Sequence, residues 1–272
     1  MADDGWTFSE GGATAPKRTV LLLPGAFCTA AFYDEVLAEP AAVEQGVGLV
    51  AATPPGFGGN PVPPGFDMSI AAYAGLVEAE ADRLGAAAIV GHSLFANVLI
   101  LVAERGRFRG PLVLLSPCFS KEDEEKDVRQ IGPLARIPGL GALVFRIAPR
   151  TFSSSMKGRF PPARHDELIA EMRKNEPRAM RQLILRYFEH LNEPGTGLAQ
   201  RLADSGAPAS VVRGDDDEVG ITEDEAAILE AAPNVTVVPI AGARHFSMTD
   251  QPEAVTQAIL SAAASAGPPA SR

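Results

Sequence analysis

Short apolar runs alternate along the chain with longer segments whose apolar residues recur on one helical face. The runs are continuous rather than alternating, which is typical of strands covered on both faces. Six runs predict buried strands: Thr19–Pro24, Val47–Thr53, Ala86–Gly91, Pro111–Ser116, Ala209–Gly214 and Val235–Ile240. Four of the intervening segments predict helices: Ser69–Leu84, Leu94–Arg105, Thr222–Ala231 and Pro252–Ala264. This alternation predicts an α/β fold, with a mostly parallel sheet flanked by helices on both faces.

Two predicted helices begin at residues suited to capping. Ser69 stands where an N-cap serine would accept a hydrogen bond from the first helical turn. Thr222 is followed three residues later by Glu225, which is the spacing of a capping box.

One long stretch breaks the alternation of strand and helix. No apolar run of the strand type occurs from Phe119 to about Gly206, and the helix candidates there are Ile137–Ile147, Asp166–Lys174 and Arg178–Leu191. A stretch of about 90 residues is too long for a plain connection between two strands. We therefore predict a helical cap inserted at residues 119–206, over a core formed by residues 1–118 and 207–272.

Composition narrows the class of protein. The chain has 272 residues, of which 46% are hydrophobic and 21% charged, which suits a soluble domain with an insertion. A formal net charge of −10 argues against a nucleic-acid partner. No apolar run approaches the roughly 20 residues of a membrane helix, and the start lacks a secretory signal, so we expect a cytoplasmic protein without a membrane partner. Without clustered Cys and His ligands, we expect no metal and no cofactor.

A serine stands at the junction of a predicted strand and a predicted helix, in the segment Gly91-His92-Ser93-Leu94-Phe95. A hydroxyl at such a turn projects from the chain, beside a helix N-terminus that favours negative charge. The segment resembles the nucleophile elbow G-x-S-x-G of the α/β hydrolases, with Ser93 as the nucleophile. Phe95 departs from the pattern, because the family usually has glycine there. We expect Phe95 to be accommodated by a shift of a neighbouring residue or by a slightly wider turn.

A second segment resembles the oxyanion loop that follows the first parallel strand in this family. Residues 21–27 read Leu-Leu-Leu-Pro-Gly-Ala-Phe, with Pro24-Gly25 in place of the family's usual His-Gly. The resemblance implies two backbone donors for the oxyanion, the N–H of Leu94 and that of Ala26, with Phe27 as the alternative to Ala26. The segment Thr53–Asn60 resembles a further loop of the family, to which we assign a structural role.

The base and the acid are implied by two segments near the C-terminus. Residues 242–246 read Gly-Ala-Arg-His-Phe and resemble the family's histidine loop, which assigns His245 as the base. Residues 214–219 resemble its acid loop and assign Asp217, with the adjacent Asp215 and Asp216 as alternatives. The chain order Ser93, Asp217, His245 is that of this fold.

The resemblance implies a serine hydrolase that acts through an acyl-enzyme intermediate. We expect a small or medium-sized apolar carboxylic ester as substrate, with a thioester, a lactone or a carbon–carbon bond beside a ketone as alternatives that use the same triad. Two alternatives come from other classes, a ligand-binding protein without turnover and a biosynthetic lyase or cyclase. The residues predicted to line the pocket lie within or near these motifs in the sequence and are mostly aromatic: Phe27, His92, Phe95, Phe119 and Phe246.

The two cysteines are Cys28 and Cys118, too few for a disulfide framework. Each follows a strand predicted to end near the site, but two unpaired buried thiols are the favoured interpretation. A small acyl substrate is the one partner that the sequence predicts. The oligomeric state stays open, with a homodimer as one alternative.

Overall fold

The computed structural model describes residues 5–266, and its strands form one seven-stranded sheet in the order β1-β3-β2-β4-β5-β6-β7. The strands are β1 (Thr7–Gly12), β2 (Arg18–Leu23), β3 (Val47–Thr53), β4 (Ala86–His92), β5 (Leu112–Leu115), β6 (Ala209–Gly214) and β7 (Val235–Ile240). β1 runs antiparallel to β3, and every other neighbouring pair is parallel. The predicted α/β fold with a mostly parallel sheet is confirmed.

Thirteen α-helices and two short 3₁₀ segments, Ala30–Tyr33 and Ala148–Arg150, surround the sheet in the described chain. The helices are α1 (Asp34–Leu37), α2 (Pro40–Glu44), α3 (Ile70–Leu84), α4 (Leu94–Arg105), α5 (Lys126–Arg136), α6 (Leu140–Ile147), α7 (Phe152–Ser155), α8 (His165–Arg173), α9 (Pro177–Leu191), α10 (Leu198–Asp204), α11 (Glu223–Ala231), α12 (Ser247–Asp250) and α13 (Pro252–Ser265).

Alternate residues of the central strands enter two separate cores. In β2, Leu21 and Leu23 face the core that contains α3 and α4, whereas Val20 and Leu22 face the core that contains α13. Burial on both faces explains the continuous apolar runs. It also leaves the strand ends as the places where polar side chains can meet.

The two edge strands are where the sequence interpretation was weakest. β1 was not predicted, because it carries Glu10, Gly11 and Gly12 and none of its residues is fully buried. β7 has the predicted bounds but is not a buried strand, since it forms the opposite edge and leaves Val237 37% exposed. An edge strand is paired on one side only, so its pattern carries less of the apolar signal.

Both predicted helix caps are present. The Ser69 hydroxyl accepts a hydrogen bond from the N–H of Ala72 at 3.1 Å. Thr222 accepts from the N–H of Glu225 at 3.3 Å, and the Glu225 carboxylate accepts from the N–H of Thr222 at 2.8 Å. These reciprocal bonds set the start of α11.

The chain between β5 and β6 forms helices α5–α10 and no strand. Side chains of this segment share a cavity with the end of β4, so part of it covers that end of the sheet. α10 instead packs against α4 and α11 in the layer beside the sheet, although it lies within the predicted cap. Residues 1–4 and 267–272 of the predicted core lie outside the described chain. Among the described helices, none has the length and apolar character needed to cross a membrane.

Candidate active site

Ser93 occupies a sharp turn between β4 and α4. Its backbone has φ 51° and ψ −114°, an unusual conformation for a residue with a side chain. The Ser93 N–H donates to the carbonyl of Leu115 at 2.8 Å, which anchors the turn to the neighbouring strand β5. The turn places the hydroxyl at the N-terminus of α4, where the helix dipole favours negative charge.

The tight contact in this turn falls on Gly91 rather than on residue 95. A Cβ at Gly91 would lie 2.5 Å from the carbonyl oxygen of Phe95, so only glycine fits without movement. The Phe95 side chain is fully buried, with edge contacts to Phe57 at 5.6 Å and Tyr73 at 5.3 Å between ring centroids. Phe95 is therefore a core residue and does not line the cavity, which corrects its predicted place in the pocket.

His245 and Asp217 are joined by a hydrogen bond. His245 Nδ1 lies 3.0 Å from Asp217 Oδ1, and the N–H of Val219 donates to the same oxygen at 2.9 Å. Of the three adjacent aspartates, only Asp217 has its side chain turned inward, with none of it exposed. Asp215 and Asp216 are exposed. Because the carboxylate can only accept, His245 carries its proton on Nδ1 and presents Nε2 as the basic nitrogen.

The pair shifts the proton affinity of both members. Burial alone would raise the pKa of Asp217, but the hydrogen bond and charge of His245 outweigh it and lower the pKa to about 2. Burial alone would lower the pKa of His245, but Asp217, Glu125 and Glu124 outweigh it and raise the pKa above its usual 6.5. A protonated imidazole is thus stabilised at this position.

His92 connects the serine turn to the histidine loop. Its Nε2 donates to the carbonyl of His245 at 2.9 Å, and the Ser116 hydroxyl donates to the same oxygen at 3.3 Å. Burial, followed by the charge of His245, lowers the pKa of His92 to about 3, so its ring is neutral. A Cβ at Gly25 would lie 2.6 Å from His92 Nδ1, which explains why glycine stands there.

Ala26 and Leu94, the predicted oxyanion donors, both line the cavity beside Ser93. Neither backbone N–H donates to another group of the described chain. The following residue, Phe27, has φ 64°, and its carbonyl accepts from Asn175 Nδ2 at 2.7 Å. Two residues with unbonded N–H groups therefore line the same cavity as Ser93.

Asn175 holds the oxyanion loop from the helical side and was not predicted from the sequence. Besides the bond to Phe27, its Nδ2 donates to the carbonyl of Met172 at 2.8 Å, and its Oδ1 accepts from the N–H of Gly58 at 2.9 Å. It is 5% exposed. An asparagine between two helices gives no sequence signal of such contacts.

The cavity that unites these groups has a volume of about 80 Å³. Of the predicted pocket residues, Phe27, His92 and Phe246 line it. Phe119 does not, because it is 3% exposed within the core packed around α3 and α4, and its predicted pocket role is corrected. The helical segment adds four apolar side chains: Val128, Met156, Met172 and Ile184.

Ser93 and His245 both line this cavity. No hydrogen bond joins their side chains in the described residues. Such bonds are often long before a substrate is bound, and they tighten in the reacting complex.

One wall of the cavity is polar, whereas the sequence predicted an apolar pocket. The Tyr187 hydroxyl donates to Glu124 Oε2 at 2.7 Å, and Arg159 forms ion pairs with Glu125 and, at 2.8 Å, with Glu218. Burial raises the pKa of Glu124. In the sequence these glutamates belong to a charged run, and such runs are usually solvated, so the pattern gave no sign of a cavity wall.

Cys28 and Cys118 are both buried and unpaired. Burial is the largest effect on both thiols and raises the pKa of each. Among the residues described, His, Cys, Asp and Glu side chains form no group of three that could hold a metal ion.

The chain is similar to known proteins in family and in fold. Residues 20–258 match a family described as the alpha/beta hydrolase family. None of the curated protein sequences is significantly similar to this chain. An esterase from Thermogutta terrifontis is a similar solved structure, with a TM-score of 0.68 and 21% identity over 94% of this chain and 92% of that one.

Two further structures are similar and carry other activities in their descriptions. A haloalkane dehalogenase, DbeA from Bradyrhizobium elkani, has a TM-score of 0.70 and 18% identity over 95% of this chain and 94% of that one. An enol-lactonase from Burkholderia xenovorans has a TM-score of 0.69 and 16% identity over 94% of this chain and 95% of that one. At these identities the likeness shows the fold alone.

Proposed function

Because the chain belongs to the alpha/beta hydrolase family, we propose that it is a serine hydrolase that cleaves carboxylic esters through an acyl-enzyme intermediate. The observation that carries the proposal is the convergence of three groups on one cavity: the Ser93 turn, the His245–Asp217 pair and the free N–H groups of Ala26 and Leu94. The first supplies a nucleophile, the second a base and the third a site for negative charge.

In the proposed reaction, His245 Nε2 takes the proton of the Ser93 hydroxyl as its oxygen attacks the ester carbonyl. Asp217 keeps the imidazole in the tautomer with its proton on Nδ1 and stabilises the imidazolium that forms. His245 then gives the proton to the leaving alcohol. In the second half, His245 activates water, which attacks the acyl enzyme and releases the acid.

The tetrahedral intermediates of both halves carry a negative oxygen. The N–H groups of Ala26 and Leu94 are the donors that we assign to it, since both line the cavity and neither is bonded elsewhere in the described chain. Removing one such donor typically costs a factor of about 10²–10³ in kcat. The bond from Asn175 to the carbonyl of Phe27 supports the loop that carries the Ala26 donor.

The serine itself favours an ester over a haloalkane, although a dehalogenase is among the similar structures. Displacement of a halide by Ser93 would leave an alkyl ether on the oxygen. An ether has no carbonyl for water to attack, so the enzyme would stop after one turnover. An acyl group leaves a carbonyl that His245-activated water can hydrolyse.

The cavity suggests the kind of ester. A volume of about 80 Å³ is small beside the pockets of roughly 300–1,000 Å³ that hold drug-sized ligands. We therefore propose a short acyl group against the apolar side chains. The carboxylates of Glu124 and Glu125 on the polar wall outnumber the one guanidinium of Arg159 there, which disfavours an anionic substrate.

Labelling with a fluorophosphonate probe, followed by mass spectrometry, tests the nucleophile. We expect the wild-type protein to be labelled on Ser93 and the Ser93→Ala variant not to be labelled. Ser261 is an exposed serine on α13, and the control variant Ser261→Ala should be labelled as the wild type is. Hydrolysis of p-nitrophenyl esters of increasing acyl length should be fastest for the shortest acyl groups. An unlabelled wild-type protein without turnover of esters, thioesters or lactones would favour a ligand-binding protein. Activity that survives in Ser93→Ala would indicate a lyase or cyclase.

A further inference from the structure

The helical segment contains a long stretch whose charge is opposite to that of the chain. Between Asp127 and Asp166 there is no acidic residue, although the whole protein has 34 and a net charge of −10. The same stretch has seven basic residues: Arg129, Arg136, Arg146, Arg150, Lys157, Arg159 and Arg164. Arg159 and Arg164 are paired with carboxylates elsewhere in the fold, which leaves five that can face an outside partner.

The same stretch exposes apolar side chains. Nine large apolar residues are exposed in the described chain, and five of them lie within fourteen consecutive positions here: Leu134, Ile137, Leu140, Leu143 and Ile147. Each is between 37% and 46% exposed. Scattered exposed apolar residues are normal, but a contiguous set marks an interaction surface.

Helix α6 presents three of these residues on one side. Leu140, Leu143 and Ile147 follow helical spacing and point outward, while Phe145 on the other side is 3% exposed and stacks on Phe27. Arg146 lies at the flank of the apolar stripe. α6 therefore carries apolar side chains on both its inner and its outer face.

A surface groove adjoins this stripe between α6 and the start of α9. It has a volume of about 640 Å³ and contains Leu143 and Leu185 together with Arg146, Arg178 and Arg181. Its one carboxylate, Glu176, already accepts the N–H of Ala179 as the N-cap of α9. Arg146 and Arg178 form no ion pair within residues 5–266. Apolar side chains and unpaired guanidinium groups thus lie side by side.

We infer that this apolar–basic face, formed by the five exposed apolar residues and by Arg136, Arg146 and Arg178, docks on an anionic lipid surface. Apolar side chains on the outer face of a helix, flanked by long arginines, suit the boundary between acyl chains and headgroups. A second copy of the chain fits less well, because a symmetric contact would bring two basic faces together. The expectation of no membrane partner rested on spanning segments, and a peripheral contact needs none.

The location gives the contact a consequence for the site. The inner side of α6 reaches the oxyanion loop through Phe145 and Phe27, whose ring centroids are 6.4 Å apart. A lipid surface on the outer side of α6 would therefore lie one helix away from the cavity. The docking itself does not depend on the proposed hydrolysis.

Cosedimentation of the full chain with lipid vesicles tests the inference. We expect binding to vesicles of phosphatidylcholine mixed with phosphatidylserine, weaker binding to phosphatidylcholine alone, and loss near 1 M salt, where the Debye length is about 3 Å. Arg146→Glu with Arg178→Glu should weaken binding by at least about tenfold. The double variant Leu143→Ser with Ile147→Ser should also weaken binding, because it removes apolar area that the lipid surface would bury.

Matched controls lie on other faces. Val43→Ser removes an exposed apolar residue of α2, and Arg109→Glu reverses an exposed charge, so both should bind as the wild type does. Circular dichroism melting checks that every variant is folded. Absence of vesicle binding, or equal losses in the control variants, would overturn the inference. So would binding to polyglutamate but not to vesicles, which would indicate an acidic protein partner, or dimerisation in light scattering that Leu143→Ser abolishes.

Discussion

The carboxyl end of the parallel strands, here called the sheet edge, and the helices that cover it contribute to the same cavity in different ways. At the sheet edge, Ser93, Asp217 and His245 are fixed by short backbone turns and by hydrogen bonds between neighbouring loops. From the helical side come a small apolar surface and a polar wall with Glu124 and Glu125. In the proposed reaction, the sheet edge therefore supplies the reacting groups and the helices select the substrate.

The two regions are nevertheless fastened to each other. Arg164 of the helical segment donates to Glu35 at 2.8 Å and to Asp34 at 3.2 Å, both on α1. Asn175 joins the oxyanion loop to the loop at Gly58. A division of labour between chemistry and selection can therefore be tested at residues on each side and at residues between them.

The largest effect should come from the sheet edge, in Asp217→Asn. The amide donates to Nδ1 and so favours the wrong imidazole tautomer, and we expect kcat to fall by about 10⁴ with KM little changed. Steady-state hydrolysis of a short-chain p-nitrophenyl ester measures it. Asp216→Asn is the control, because that aspartate is exposed and should leave kcat within about twofold. Equal losses in the two variants would contradict the assignment of the acid.

The core beneath the serine turn should show the next largest effect, on stability. Phe95→Ala removes a fully buried ring that packs on Phe57 and Tyr73, and we expect a loss of about 3–5 kcal/mol in the free energy of unfolding. Urea unfolding measures it. Leu143→Ala on the exposed side of α6 should change stability by only about 0.5 kcal/mol. A small loss in Phe95→Ala would mean that the ring is not part of the core.

A smaller effect should arise where the two regions meet, in Asn175→Leu. The change keeps the size of the side chain but removes its bonds to Phe27 and Gly58. Because the oxyanion loop loses its support, we expect kcat to fall by about tenfold to a hundredfold. KM should change less, since the apolar surface of the cavity is retained. A rise in KM with kcat preserved would instead place Asn175 in substrate binding.

The elements fixed by local pattern could be predicted, and those fixed by tertiary contact could not. The strands and the capping box at Thr222 follow from spacing within a few residues. Ser93, Asp217 and His245 are implied by short segments that resemble motifs of the family. Phe95 was misplaced because sequence proximity to the serine does not reveal which way a side chain turns. Asn175 bonds to residues more than 100 positions away in the chain. Glu125 lies within a charged run. Neither position carries a periodic signal.

The smallest effect should appear in the pH profile of kcat/KM, because a residue of the helical segment shifts the pKa of His245. The base must be neutral to accept the serine proton, so the raised pKa of His245 predicts that the acid limb of kcat/KM lies above 6.5. Glu125→Gln removes one of the negative charges that raise this pKa, and the limb should move to lower pH. Arg159 keeps Glu218 as a partner, which limits structural damage.

The same pair links pH to stability in two opposite directions. The His245 contribution is present below its unfolded pKa of about 6.5 and is lost as pH rises through the higher folded pKa. The Asp217 contribution is present above its unfolded 3.8 and is lost as pH falls toward about 2. Urea unfolding at several pH values should therefore show that Glu125→Gln flattens the upper slope, whereas Glu122→Gln, at an exposed control position, leaves the upper slope unchanged. An unchanged upper slope in Glu125→Gln would contradict the action of Glu125 on His245.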